Sequence, residues 1–217
     1  MSVLLPVVLA TSLALALFCF RWLERPASHR RALLKALPVL LLAVYALLAQ
    51  APLLLVAALL LGALGDTCLA YDGEPAFLAG LAVFLVSHLA YIALFWPSVE
   101  PALVVASAWR YAAAWTFVIL LTMMLFILWR PAGKLAIPVT AYALAVIAMA
   151  LSALTLKPIS PSAGAALFVM SDVALAIRKF LAKPDDPATR RLQPFIWGSY
   201  YAAQLIFTLA LAGLPRF

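Results

Sequence analysis

The sequence predicts an all-α protein, a polytopic transmembrane bundle of eight helices. Composition is the first observation behind this prediction: of the 217 residues, 68% are apolar and 11% are charged, with a mean hydropathy of +1.13. Soluble domains carry about 25% charged residues. The second observation is that the apolar residues form long runs, and a membrane-spanning helix needs about 20 of them. Eight such helices would occupy about 160 positions, so a soluble nucleotide-binding or nucleic-acid-binding domain does not fit.

Charged and proline-rich clusters separate the apolar runs and define the predicted elements. The first run has no basic segment before it and no cleavage site after it, so we expect a retained span and not a secretory signal. Pro38 lies one turn into the second helix, where proline is tolerated. The fifth helix has the least marked start, because residues 102–109 are also apolar. We expect one domain, 1–217, with helices at about 2–20, 33–49, 52–70, 77–95, 103–129, 135–154, 162–180 and 195–213.

The basic residues indicate the orientation, since Lys and Arg in short loops are enriched on the cytoplasmic side. With eight helices, only Arg110, Lys157 and Arg216 fall on one side of the membrane. Both termini are therefore expected on the non-cytoplasmic side. Short loops and Ala- and Leu-rich spans favour a bacterial inner membrane. The twelve residues on the other side are Arg21, Arg25, Arg30, Arg31, Lys35, Arg130, Lys134, Arg178, Lys179, Lys183, Arg190 and Arg191.

Three ionisable residues qualify most clearly as intramembrane groups: Asp66 in the third helix, His88 in the fourth and Asp172 in the seventh. Such a group near the bilayer centre costs about 3 kcal/mol or more on insertion scales, so each needs a partner or a purpose. A single Asp can have a structural role, such as pairing with Lys35, and His88 lies on a stripe typical of helix packing. Two carboxylates in one bundle favour a functional site.

Polar side chains of the second and eighth helices occupy compatible depths. A rise of about 1.5 Å per residue and the direction of each helix place Asp172 and His88 near mid-depth. The cytoplasmic half holds Lys35, Asp66, Tyr200 and Gln204. We therefore expect a polar pocket that opens toward one leaflet.

A pair of buried carboxylates is suited to acid and base catalysis. Burial disfavours the ionised form of Asp, and a second nearby carboxylate keeps one of the pair protonated, so one acid and one base coexist. This suits the hydrolysis of acid-labile bonds. We expect Asp66 and Asp172 to meet in a water-accessible cavity, with either one as the acid. No metal-ligand spacing is present, and Cys19 and Cys68 lie in apolar surroundings, so the sequence predicts neither a metal nor another cofactor.

Taken in order, these residues resemble the YhhN family of membrane proteins, which includes lysoplasmalogenases. The likeness runs from about Lys35 to Gln204. Ala36 departs from the family's Lys-Pro-x-Pro pattern at the start of the second helix. The matching segments are Lys35 with Pro38, Gly65-Asp66, Phe77-x-x-Gly80-x-x-x-Phe84-x-x-x-His88-x-x-Tyr91, Ser171-Asp172 followed by Arg178-Lys179-Phe180, and Tyr200-Tyr201-x-x-Gln204.

The resemblance implies hydrolysis of the vinyl ether bond of lysoplasmalogens, which releases a fatty aldehyde and glycerophosphoethanolamine or glycerophosphocholine. The partners would be the lysophospholipid substrate and membrane lipids, with no nucleic acid. Asp66 and Asp172 would be the catalytic pair, and Lys35 would meet the substrate phosphate. The residues that bind substrate or orient water and the carboxylates would be Lys35, His88, Tyr91, Ser171, Tyr200 and Gln204.

Two other functions use intramembrane carboxylates. A proton-coupled transporter of small molecules or lipids also places Asp and His at mid-depth, but the matching broken helices that such proteins carry in two halves are not seen. An intramembrane aspartyl protease would require GxGD, and Ala63 stands where that motif needs its first glycine. Tyr71-Asp72 follows in the loop directly after the third helix, whereas the protease motif needs this pair on a separate helix.

Overall fold

The computed structural model describes residues 3–182 and 187–213, although the side chains of 187–190 lie outside the description. The prediction of an all-α bundle is confirmed. The described residues form eight long helices and a short one, α5. Their bounds are α1 Leu4–Cys19, α2 His29–Leu48, α3 Leu53–Cys68, α4 Glu74–Phe95, α5 Ala102–Ala106, α6 Ala108–Ala132, α7 Ala136–Leu154, α8 Ser160–Phe180 and α9 Pro187–Leu211. Ser2, Lys183 and Arg216, which figured in the predicted first helix and topology, lie outside the described residues.

The second and fourth helices begin earlier than predicted. α2 begins at His29 and not at 33, since the Ser28 side chain accepts a hydrogen bond of 3.3 Å from the backbone N–H of Arg31. α4 begins at Glu74 and not at 77, with a proline in its first turn and a carboxylate at its positive end. The earlier start of α2 places Arg31 and Lys35 on one helix, one turn apart.

The fifth predicted helix, 103–129, is interrupted. Ser107 adopts an extended conformation, with φ −123° and ψ 114°, which separates α5 from α6. Arg110, in the first turn of α6, donates hydrogen bonds to the carbonyls of Leu154, Leu156 and Lys157. The buried guanidinium thus satisfies carbonyl groups at and just beyond the end of α7, which have no partner within that helix.

The last helix is also longer than expected: α9 begins at Pro187, whereas the predicted start was 195. Proline is favoured at the first position of a helix because its missing N–H is not needed there. The extra turns carry Gln193 into the bundle, where its side chain is buried. Of the remaining helix ends, those at 95, 154 and 180 coincide with the prediction, and the others differ from it by one to three residues.

The outer surface of the bundle is apolar. Four stretches among the described residues are long and apolar enough to cross a membrane: His29–Leu48, Glu74–Ser98, Ala108–Leu154 and Ser160–Phe180. α1 and α3 are shorter apolar helices. On α6 the large side chain of Phe126 is 87% exposed, as expected for a helix that faces lipid. The chain is therefore a membrane protein. Its helices pack mainly against their neighbours in sequence, as α8 does against α9.

Candidate active site

A cavity of about 530 Å³ lies between α2, α3, α4, α8 and α9. Its open end, which we call the mouth, is formed by exposed residues that include Glu24, Arg25, Asp72 and Lys179. Of the eight predicted site residues, five line this polar cavity: Lys35, Asp66, Ser171, Asp172 and Tyr200. His88, Tyr91 and Gln204 lie behind its walls.

Asp66 on α3 lies beside Lys35 of α2. Its side chain is buried, and its Oδ1 atom lies 3.9 Å from Nζ of Lys35, which is buried as well. The Tyr200 hydroxyl interacts with the same carboxylate. The Oδ2 atom is buried and has no hydrogen-bond partner among the described residues. Since buried carboxylate oxygens are normally hydrogen-bonded, Oδ2 is available to a water molecule or a ligand.

Tyr200 is positioned by a chain of buried hydrogen bonds. The Tyr91 hydroxyl donates to Oε1 of Gln204 at 2.5 Å, and Nε2 of Gln204 donates to the Tyr200 hydroxyl at 3.2 Å. The chain packs against Gly62 of α3, where a Cβ atom would lie 2.7 Å from Nε2 of Gln204. Tyr91 and Gln204 therefore act on Asp66 through Tyr200.

Asp172 lies where two cavities meet. Its Oδ2 atom accepts a hydrogen bond of 3.1 Å from the hydroxyl of Tyr142 on α7. Besides the polar cavity, Asp172 lines a smaller cavity of about 80 Å³ between α4, α6, α7 and α8, whose other lining residues are almost all apolar. Phe77 and Leu175 border both cavities as well. Asp172 is the one ionisable residue among the described residues shared by the two linings.

His88 supports this region from behind. Its ring is fully buried, and Nδ1 donates a hydrogen bond of 2.6 Å to the Phe84 carbonyl. The ring makes edge contacts with Phe168 at 4.7 Å and with Tyr142 at 5.4 Å between centroids. Ser171, next to Asp172, donates to the Ile196 carbonyl at 2.9 Å and so ties α8 to α9. Both residues position the groups around Asp172.

Three aromatic rings form a wall of the polar cavity. Phe84, Phe168 and Tyr200 contact one another edge to face, with centroid separations of 6.4, 5.6 and 5.4 Å. Such pairs stabilise by about 1 kcal/mol each beyond their buried area. Gly65 makes room for this wall, because a Cβ atom there would lie 2.6 Å from the ring of Phe84. The wall joins the Asp66 side, through Tyr200, to the Asp172 side, through Phe168.

Sequence reasoning missed three residues of the site. Tyr142 is a lone hydroxyl in an apolar helix, and its spacing carries no signal. Arg31 was counted only as a charge that sets topology, and Arg178 as such a charge and as part of the family resemblance, yet both line the polar cavity and Arg31 is only 8% exposed. The presence of Arg31 four residues before Lys35, on the same helical face, was the available signal.

The fold and the cavity define a polytopic helical membrane protein with two carboxylates in a polar intramembrane cavity. The sequence model of the YhhN family matches residues 30–211, and the chain belongs to this family. The family resemblance predicted from the sequence is therefore confirmed.

Relatives with a stated activity cover much of the chain. The chain is 35% identical over 209 residues to the lysoplasmalogenase TMEM86B of Rattus norvegicus. The match covers 93% of this chain and 82% of that protein. The TMEM86B of Homo sapiens is 34% identical, with coverages of 91% and 82%. The lysoplasmalogenase of Mycobacterium tuberculosis is 36% identical over 71% of this chain, and the match spans 58% of that relative's length. No solved structure matches the chain.

Proposed function

We propose that the protein is a lysoplasmalogenase, an ether hydrolase that cleaves the vinyl ether bond of lysoplasmalogens to a fatty aldehyde and glycerophosphoethanolamine or glycerophosphocholine. The observation that carries this proposal is that Asp172 borders both the polar and the apolar cavity. In a lysoplasmalogen the vinyl ether lies where the polar part of the molecule joins the hydrocarbon chain. A substrate with its glycerol in the polar cavity and its chain in the apolar one therefore presents the scissile group to Asp172.

The reaction begins with proton transfer to carbon. Asp172 delivers a proton to the outer alkene carbon, which forms a C–H bond and leaves an oxocarbenium ion. Tyr142 donates to Oδ2 of Asp172, so the other carboxyl oxygen carries the transferred proton. General acid catalysis of this kind typically contributes a factor of about 10²–10⁴.

Asp66 serves as the base in the second step. The neighbouring ammonium group of Lys35 favours the carboxylate form, and Oδ2 of Asp66 takes a proton from the water that attacks the oxocarbenium carbon. The product is a neutral hemiacetal. Asp172 then removes the hemiacetal hydroxyl proton while Asp66 returns its proton to the departing glycerol oxygen. One water is consumed, the C–O bond breaks, and both carboxyl groups regain their starting states.

The substrate enters from the leaflet at the mouth of the polar cavity. The Lys and Arg residues of the predicted cytoplasmic loops include Arg25 and Lys179, which line the mouth. This supports entry from the cytoplasmic leaflet of a bacterial inner membrane, an orientation in which both termini face away from the cytoplasm. The hydrocarbon chain passes through the apolar cavity and extends into the surrounding lipid.

An assay with three lysolipids tests the proposal. Protein purified in dodecyl maltoside is incubated with alkenyl, alkyl and acyl lysophospholipids, and released aldehyde, fatty acid and glycerophospho product are measured. Aldehyde release from the alkenyl lipid alone is expected. Turnover of the acyl lipid would indicate a lipase, and lipid transfer between vesicles without chemical change would indicate a transporter; either result in place of aldehyde release contradicts the proposal.

Variants then assign the two carboxylates. Asp172→Asn and Asp66→Asn are each expected to lower aldehyde release by at least about 100-fold, because each removes a proton-transfer group while keeping the side-chain shape. Glu100→Gln, which neutralises a carboxylate paired with Lys157 at 2.9 Å outside the cavity, is the matched control and keeps full activity. Full activity in either Asp variant removes that residue from the mechanism.

A further inference from the structure

Two arginines line the polar cavity with donors that nothing in the described part of the chain satisfies. Arg31 on α2 is only 8% exposed, and its Nε atom is buried without a hydrogen-bond partner among the described residues. The Nε atom of Arg178 on α8 has the same status. Both side chains line the cavity. Buried charged donors are ordinarily paired, because leaving them unpaired is costly.

Among the described residues, the charges near these arginines do not supply partners for the buried Nε donors. Arg31 and Arg178 are close enough to repel each other electrostatically. The described acids that interact electrostatically with Arg31 are Asp72 and Glu24, which are exposed at the mouth. The deeper carboxylate, Asp66, is paired with Lys35. Two neighbouring guanidinium groups whose buried Nε donors have no partner among the described residues are the arrangement that a shared anion completes.

We propose that Arg31 and Arg178 bind the phosphate group of the lysophospholipid substrate, an inference that rests on the proposed function. A guanidinium group presents a planar fork of donors that matches phosphate oxygens, and for this reason Arg is favoured over Lys in phosphate recognition. The role expected of Lys35 from the sequence thereby passes to the two arginines, since Lys35 pairs with Asp66.

The spacing along α8 agrees with the substrate's covalent structure. Asp172 and Arg178 are six residues apart on one helix, which corresponds to about 9 Å along its axis. In a lysoplasmalogen, seven covalent bonds separate the outer alkene carbon from the phosphorus, and an extended chain of that length covers a similar distance. Phosphate held at Arg178 therefore sets the reacting carbon at the depth of Asp172.

A binding experiment with a non-cleavable ligand tests this site without relying on catalysis. An alkyl lysophosphoethanolamine and the matching alkylglycerol, which lacks the phosphate, are titrated into the protein in dodecyl maltoside, and the dissociation constants are compared. Arg31→Gln and Arg178→Gln are each expected to weaken binding of the phospholipid about tenfold and to leave binding of the alkylglycerol unchanged. Arg31→Lys is expected to recover part of the affinity. Arg30→Gln, an exposed neighbour outside the cavity lining, is the matched control and binds both ligands as the wild type does.

Each result bears on the site. Unchanged phospholipid binding in both glutamine variants overturns the proposal, as does an equal loss for the alkylglycerol, which would indicate a structural role. Inorganic phosphate alone is titrated as a separate arm. If it binds as tightly as the phospholipid, the headgroup assignment is overturned in favour of free phosphate. Aldehyde release is measured in parallel. If phospholipid binding depends on the two arginines but no aldehyde is released, the proposed function is refuted and the phosphate site is supported.

Discussion

Asp66 and Asp172 line one cavity, but the groups around them differ. The neighbour of Asp66 is an ammonium group at 3.9 Å, whereas Asp172 accepts from a neutral phenol at 3.1 Å. A cation favours an ionised carboxylate, and a phenol can donate to a protonated carboxyl group as well. Two carboxyl groups in unlike surroundings can take the roles of base and acid without changing places.

The hydroxyl of Tyr142 is expected to matter for rate more than for stability. Tyr142→Phe removes the hydrogen bond to Asp172 and keeps the ring that packs against His88 at 5.4 Å. Because a hydrogen bond to a potentially charged group contributes about 1.5 kcal/mol, we expect kcat to fall about tenfold while KM for the alkenyl lysolipid stays near the wild-type value. The measurement is steady-state aldehyde release.

The control for this variant is Tyr111→Phe. Tyr111 is 51% exposed near the start of α6, so removal of its hydroxyl leaves kcat unchanged. Thermal unfolding of both variants within a few degrees of the wild type shows that the bundle is intact. Wild-type kcat in Tyr142→Phe contradicts the role given to its hydroxyl.

At the scale of the helices, the close approach of α3 and α9 holds the Asp66 side of the site together. Gly62 faces Nε2 of Gln204 and the Tyr200 hydroxyl, at 2.7 and 3.0 Å from an added Cβ atom. Small residues allow such approaches in membrane bundles. The hydrogen bonds from Tyr91 through Gln204 to Tyr200 depend on this spacing.

Gly62→Ala is therefore expected to disturb both stability and activity. The added methyl group displaces the Gln204 side chain, and overpacking of this kind typically costs about 1–3 kcal/mol. We expect a lower unfolding temperature in detergent and reduced aldehyde release. Gly198→Ala in α9 is the matched control, since its Cβ atom would meet only the Phe20 ring at 3.4 Å. Wild-type stability and activity in Gly62→Ala would show that α3 and α9 can separate at no cost.

The sequence was enough to predict which segments form helices. It was less informative about where the helices begin and which side chains meet between them. Charges in apolar spans are conspicuous because lipid cannot solvate them, and this is how Asp66 and Asp172 were identified. Arg31 looked like a loop charge, since the start of α2 depends on a cap from Ser28. Tyr142 could not be found, because only the packing of α7 against α8 turns its hydroxyl toward Asp172.

At the scale of the whole molecule, the basic residues and the mouth of the polar cavity lie at the same end of the bundle. The mouth lies at the end of the bundle formed by the start of α2, the end of α3 and the end of α8. Five of the predicted cytoplasmic residues, Arg30, Arg31, Lys35, Arg178 and Lys179, lie in these segments. The Lys157–Glu100 pair lies beyond the other ends of α4 and α7. A headgroup of zwitterionic lipid can thus remain at the interface while its chain enters the apolar cavity.

Site-specific labelling tests this orientation. Cysteines are introduced by Glu24→Cys at the mouth and by Glu100→Cys at the opposite end, in a background in which the native Cys19 and Cys68 are replaced by alanine. Because the excess of basic residues retains its loops in the cytoplasm, a membrane-impermeant maleimide should modify Glu24→Cys in inverted inner-membrane vesicles and not in intact bacteria. Glu100→Cys should show the reverse pattern, which makes the two variants controls for each other. Modification of Glu24→Cys from the outside would place the mouth in the outer leaflet, and the lysolipid would then reach Asp172 from the non-cytoplasmic side.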